Sequence, residues 1–140
     1  MYICIIQTKT NKTMKTINVK NVKGVNFNGG TSYRTVLEKD GLGFAMMKTV
    51  INKGGAYKWH YKSHQEACMC ISGNGYIEDL TTGEKSDIYA GITYLVDNNQ
   101  PHLFTALTDV VLVSVFNPPL TGNETHDKDG SYEINDKDCK

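Results

Sequence analysis

Glu66-Ala-Cys-Met-Cys-Ile-Ser-Gly73 sets a carboxylate ahead of six residues and a glycine, inside a short run of apolar and thiol side chains. Side chains in a strand alternate between faces, so Glu66, Cys68 and Cys70 share one side. The flanking sequence repeats this pattern. Candidate strands are 33–38, 43–51, 56–61, 66–72, 75–79, 92–96, 102–106 and 110–117. Turn signals separate them: Lys39-Asp-Gly41, Lys53-Gly-Gly55, Ser72-Gly-Asn-Gly75, Thr82-Gly83 and Asp97-Asn-Asn-Gln-Pro101. Many short strands punctuated this way indicate an all-β antiparallel sandwich or barrel. No segment sustains a helical period, although short helical turns are expected near Asn18–Gly24.

The chain has 140 residues, which suits one domain with a moderate core. Lys plus Arg balance Asp plus Glu at 15 each, and no basic cluster marks a nucleic-acid surface. No apolar run approaches the roughly 18–20 residues that span a bilayer. The opening Met1-Tyr-Ile-Cys-Ile-Ile6 is too short for a signal peptide, so a cytoplasmic location is expected. Cys4, Cys68, Cys70 and Cys139 do not read as a disulfide framework; Cys68 and Cys70 suit buried thiols. Met14-Lys-Thr-Ile-Asn-Val19 reads as a natural start followed by a strand. Residues 1–13 are therefore expected to be an extension, with Tyr2–Gln7 a candidate edge strand. Residues 14–132 form the domain, and 133–140 a charged, flexible tail.

Chemistry-bearing side chains concentrate in two places. The first is the loop after the last apolar strand, Phe116-Asn-Pro-Pro-Leu-Thr-Gly-Asn-Glu-Thr-His126, which runs on to Tyr132. Glu124 and His126 are two residues apart, so in extended backbone they project to one side and could meet one substrate together. A solvated surface loop is the alternative. The second is the set His60, His64, Glu66 and His102.

Those residues resemble the cupin superfamily, whose fold is a double-stranded β-helix of jelly-roll type. Its first motif ends in a metal-binding Glu followed by six residues and a Gly; its second contributes a His after a Pro- or Gly-containing turn. The two His ligands usual before that Glu are replaced by Trp59 and Tyr61. His60 falls between those positions, so strand alternation turns it to the opposite face. His64 shares parity with Glu66 but sits in a turn. Tyr94 has the parity of a third ligand beside Glu66 and His102, although the residues by themselves favour an ordinary amphipathic core aromatic.

Three segments together resemble the ectoine synthase family of cupin-type lyases: Lys39-Asp-Gly-Leu-Gly-Phe44, His60-Tyr-Lys-Ser-His-Gln-Glu-Ala67 and Phe116–Tyr132, above all Leu120-Thr-Gly-Asn-Glu-Thr-His126. The resemblance implies an iron-dependent homodimer that closes N-γ-acetyl-L-2,4-diaminobutyrate to the cyclic amidine ectoine with loss of water. It implies Fe(2+) on Glu66, Tyr94 and His102. It places substrate contacts at Arg34, Thr49, Phe116, Glu124 and His126, with Glu124 and His126 as proton-transfer candidates and Tyr94 in the catalytic set. Two positions depart: a family Trp is replaced by Gly30 and a family Asn by Met47, with Phe27 a candidate to take over part of the Trp role. Those departures motivate two alternatives: a related cupin hydrolase or dehydratase acting on a similar acylated diamino acid or cyclic amidine, and a non-catalytic small-ligand-binding cupin.

Overall fold

The computed structural model describes residues 13–97, 99–122, 124–126 and 131–132. The expectations for Tyr2–Gln7 and for the tail 133–140 lie outside them. Ten strands form the body: β1 Val25–Phe27, β2 Gly30–Val36, β3 Ala45–Ile51, β4 Ala56–Trp59, β5 Gln65–Ser72, β6 Gly75–Asp79, β7 Lys85–Ile88, β8 Thr93–Val96, β9 His102–Ala106 and β10 Val110–Asn117. Among the described residues the other elements are 3-10 turns at Val19–Asn21 and Glu38–Asp40, the first inside the stretch read as helical turns.

All pairings are antiparallel. A six-stranded sheet runs β1-β2-β3-β10-β5-β8 and a four-stranded sheet runs β4-β9-β6-β7. Their inner faces close on one core, with Met47, Ile51, Phe104, Leu112 and Phe116 each at most 2% exposed. This is the all-β jelly-roll barrel expected. Truncating either of the two phenylalanines to Ala would cost about 3–5 kcal/mol.

The alternation read from the sequence holds where it matters. β10 buries Val110, Leu112, Ser114 and Phe116 and turns the residues between them outward; β9 buries His102, Phe104 and Ala106. Gly73, which closes the Glu66 motif, has a φ of 91°, and a Cβ there would lie 2.1 Å from the Asp109 carbonyl oxygen. Only glycine fits that turn.

The sequence reading missed two strands. β1 is Val-Asn-Phe, too short for its alternation to stand out, and β7 is Lys-Ser-Asp-Ile with a single buried residue and no apolar period. β2 also begins earlier than read: Gly30 pairs with Phe27 and with Ile51.

Candidate active site

The inner face of the six-stranded sheet carries an unusual amount of polarity. Ser32, Arg34, Thr49, Glu66 and Ser114 are all buried there, and His102 faces them from the smaller sheet. The cross-strand register explains the grouping. Arg34 pairs with Met47, Met47 with Ser114, Ser114 with Cys68, and Cys68 with Tyr94. One row across five strands thus joins the arginine to the tyrosine.

Glu66, Tyr94 and His102 are 8%, 9% and 3% exposed, all on inner faces as their parity required. His102 Nδ1 lies 3.0 Å from the Gln100 carbonyl oxygen. A carbonyl only accepts, so Nδ1 carries the proton and Nε2 presents its lone pair. Neither Nε2 nor Glu66 Oε2 has a hydrogen-bond partner among the described residues, though both are buried. Leaving such acceptors dry is costly, and a bound cation removes the cost. The donor set, an imidazole nitrogen backed by a carbonyl, a carboxylate oxygen and a phenol, suits a first-row divalent metal. Among the described residues no three His, Cys, Asp or Glu side chains converge as a metal cluster.

Burial raises the Glu66 carboxyl to about 7, with the Cys68 hydrogen bond opposing. Burial also pushes the Tyr94 phenol well above its ordinary value and lowers the His102 imidazole. Without a cation the trio is therefore biased towards its neutral forms. A divalent charge would reverse that bias for the carboxyl and the phenol and strengthen it for the imidazole, whose neutral form is the one that ligates.

Tyr94 lines two recesses. One, shared with His102, opens between β7 and β8 and carries Asp79, Glu84 and Asp87. The other, shared with Glu66, is narrow and walled by Phe27, Thr49, Trp59, Tyr61, Phe116, His126 and Tyr132. Aromatic rings nearly fill it. His126 stacks on Tyr132 with centroids 4.6 Å apart, and Tyr132 meets Tyr61 at 5.1 Å and Phe116 at 5.2 Å. His126 Nε2 and the Tyr61 hydroxyl share a 2.8 Å hydrogen bond. Burial holds the Tyr61 phenol well above its ordinary range, so it stays protonated.

Glu124 has other partners. Its Oε2 accepts from the Thr121 amide at 2.7 Å, and its Oε1 accepts from the Gly122 amide at 2.7 Å and from Thr121 Oγ1. Burial alone would raise this carboxyl; those hydrogen bonds outweigh it and leave it lowered. The carboxylate turns back on its own loop instead of lying parallel to His126 in extended chain. Arg34 completes the arrangement, donating from Nη1 to the Gly122 carbonyl at 2.6 Å and from Nη2 to the Glu124 carbonyl. Leu120 is fully buried and its carbonyl accepts from the Glu38 amide. The loop is anchored from three directions.

The two departures have visible consequences. A Cβ at Gly30 would sit 1.9 Å from the Val50 carbonyl oxygen and 2.9 Å from Phe27 Cζ. Phe27 folds inward over that space, edge-on to Trp59 at 5.9 Å and to His126 at 5.2 Å. Met47 is buried and its sulfur accepts from Ser32 Oγ at 3.1 Å. Thr49 Oγ1 lies 2.9 Å from Ser114 Oγ. His60, just past the end of β4, bonds to Asn99 Oδ1 at 2.7 Å. His64 is buried, with Phe116 and Tyr132 rings about its own.

The comparisons with known proteins identify the family. The family model for ectoine synthase matches residues 6–136. The chain belongs to the ectoine synthase family. It is 47% identical over 111 residues to the L-ectoine synthase of Desulfosudis oleivorans, covering 79% of this chain and 86% of that one. Among solved structures, the ectoine synthase from P. lautus matches with a TM-score of 0.74 at 35% identity, over 78% of this chain and 81% of the other. An RmlC-like cupin from Shewanella frigidimarina superposes with a TM-score of 0.61 at 14% identity, which shows the cupin fold alone; it covers 76% of this chain and 92% of that one. The chain is an enzyme, a hydro-lyase. No helix among its described residues is long and apolar enough to cross a membrane.

Sequence reasoning missed Tyr61 and Tyr132 as parts of the site. Tyr61 was legible as a lumen-facing residue at a position where a cupin usually keeps a ligand. Tyr132 carried no signal, because its place depends on how the chain returns from His126.

Proposed function

We propose that this enzyme closes N-γ-acetyl-L-2,4-diaminobutyrate to ectoine and water, using divalent iron held by Glu66, Tyr94 and His102. The observation that carries the reading is the pair of buried, unpartnered acceptors, Glu66 Oε2 and His102 Nε2, on facing sheets of a chain in this family. Iron bound there would supply a Lewis acid for the acetamide oxygen.

The reaction forms a bond between the α-amine nitrogen and the acetamide carbon. It breaks the carbon–oxygen bond of that amide, and the oxygen leaves as water with two protons drawn from nitrogen. The chain's own groups have three tasks. His126, hydrogen-bonded to Tyr61, is the group placed to take a proton from the amine and hand it on; positioned proton transfer typically contributes about 10²–10⁴-fold. Glu124, held ionised by the Thr121 and Gly122 hydrogen bonds, fixes the loop that carries His126. Arg34 and Thr49 border the substrate's polar end, with Arg34 also tying that loop. Trp59, Phe116 and Phe27 wall the recess against water, which favours a net dehydration.

We also infer that two copies associate. Met69, Ile71 and Leu95 stand 44%, 48% and 77% exposed on the outer face of adjacent strands β5 and β8, and β8 is a sheet edge.

The test is direct. Iron-loaded protein is incubated anaerobically with the acetylated diamino acid and the product followed by proton NMR. Ectoine should accumulate in step with substrate loss. Fully loaded protein that leaves the substrate unchanged would overturn the proposal.

A further inference from the structure

Cys68 takes no part in the chemistry above, yet it lies between two of the groups proposed to hold iron. β5 sets it two residues from Glu66 on the same face, and the sheet register puts Tyr94 of β8 directly across from it. On its other side the register puts Ser114 of β10. Cys68 is fully buried. Its Sγ lies 2.9 Å from Glu66 Oε1 and 3.1 Å from Ser114 Oγ. Ser114 is in turn braced by Thr49.

A carboxylate on a strand can rotate, and rotation decides which oxygen faces the barrel interior. Here the thiol occupies Oε1, and Oε2 is the oxygen left without a partner among the described residues. The cross-strand pairing sets Tyr94 beside the same sulfur. A thiol is a weak donor, but in a buried site of low dielectric a weak hydrogen bond still fixes geometry. Cys70 makes an internal contrast: its sulfur lies 3.4 Å from the Ser72 carbonyl and 3.9 Å from that of Gly73, at the far end of the strand.

We propose that Cys68 is a positioning residue for the metal centre, holding Glu66 in the orientation that accepts a divalent cation. The proposal rests on the metal reading given above. Removing an outer hydrogen-bond partner of a ligand typically weakens metal binding about 10–100-fold.

The test uses the full chain, stripped of metal, with cobalt(II) as the probe and its dissociation constant measured by competition with a chelating dye. Cys68→Val keeps the side-chain volume and loses the donor; Cys68→Ser restores a donor. The expected result is roughly 10–100-fold weaker cobalt binding in Cys68→Val, parent-like binding in Cys68→Ser and in Cys70→Ser, and no fall in the melting midpoint of metal-free Cys68→Val. If the valine variant does not fold, Cys68→Ala against Cys68→Ser makes the same comparison. Parent-like affinity in Cys68→Val or Cys68→Ala overturns the proposal. So does a sulfur-to-cobalt charge-transfer band in the parent that vanishes in Cys68→Ser, since it would make sulfur a ligand. Both leave the metal reading standing. A parent chain that binds no cobalt overturns both together.

Discussion

The guanidinium of Arg34 donates to the backbone carbonyl of Glu124, 90 residues further along the chain. A second donor from the same group reaches Gly122, and Nε lies 3.3 Å from Ser32 Oγ. The bulge between Arg34 and Val36 at the end of β2 accompanies this inward aim. An arginine suited to a substrate carboxylate is here also the fastener of the loop that carries His126.

Arg34→Lys should therefore be damaging despite keeping the charge. A single ammonium cannot reproduce the planar fork that spans two carbonyls. Hydrogen bonds involving a charged group contribute about 1.5–3 kcal/mol each. The expected outcome is a fall in kcat of about tenfold or more, read by steady-state kinetics. It should come with a lower melting midpoint and faster amide exchange at Thr121 and Gly122.

Glu124 gives the loop a pH dependence whose sign is fixed. Its carboxyl is lowered in the folded chain relative to its ordinary 4.5. Its contribution is therefore present above that value and lost as pH falls through the folded one. The stability difference between the parent and Glu124→Gln, measured by thermal denaturation across acid and neutral pH, should be largest near neutrality. It should shrink below about 4.5. A difference that grows on acidification would rule this carboxylate out as the loop's anchor.

Glu66→Ala, Tyr94→Phe and His102→Ala should each lose iron and turnover while remaining folded. His60→Gln should keep full iron, because its ring bonds to Asn99. Iron content by plasma emission, alongside circular dichroism, separates the outcomes. Full iron in Tyr94→Phe would remove the phenol from the ligand set.

Tyr61→Phe deletes only the hydroxyl shared with His126 Nε2. Stacking against Tyr132 should survive, so folding and KM should change little. A kcat about 10-fold or more below the parent is expected if that hydroxyl serves proton transfer. An unchanged kcat with a raised KM would reassign Tyr61 to substrate contact.

Gly30→Ala should destabilise by about 1–3 kcal/mol or more, because its Cβ would meet the Val50 carbonyl and the Phe27 ring. Phe27→Ala should instead leave the fold intact and weaken substrate binding, since Phe27 edges both Trp59 and His126. Urea denaturation and KM measurements distinguish the two.

The strands read as 75–79, 102–106 and 110–117 coincide with β6, β9 and β10, because Gly, Asn, Asp and Pro residues set off each short run. The two-residue strand period gave Tyr94 and His102 their faces, and the structure buries both, since a strand leaves a side chain only two directions to take. The family motifs marked Arg34, Thr49, Phe116, Glu124 and His126 as residues of interest. Their partners were not legible. Whether Arg34 faces a ligand or the Glu124 carbonyl, and whether Glu124 lies beside His126 or caps Thr121, depends on how a loop folds back across segments far apart in sequence. Cys68 looked like one of two buried thiols on a strand. Only the register of β5 with β8 and β10, which sets Tyr94 on one side and Ser114 on the other, separated it from Cys70. Periodicity fixes the face a residue occupies; which residues share that face is settled by cross-strand pairing, and pairing forms only in the tertiary structure.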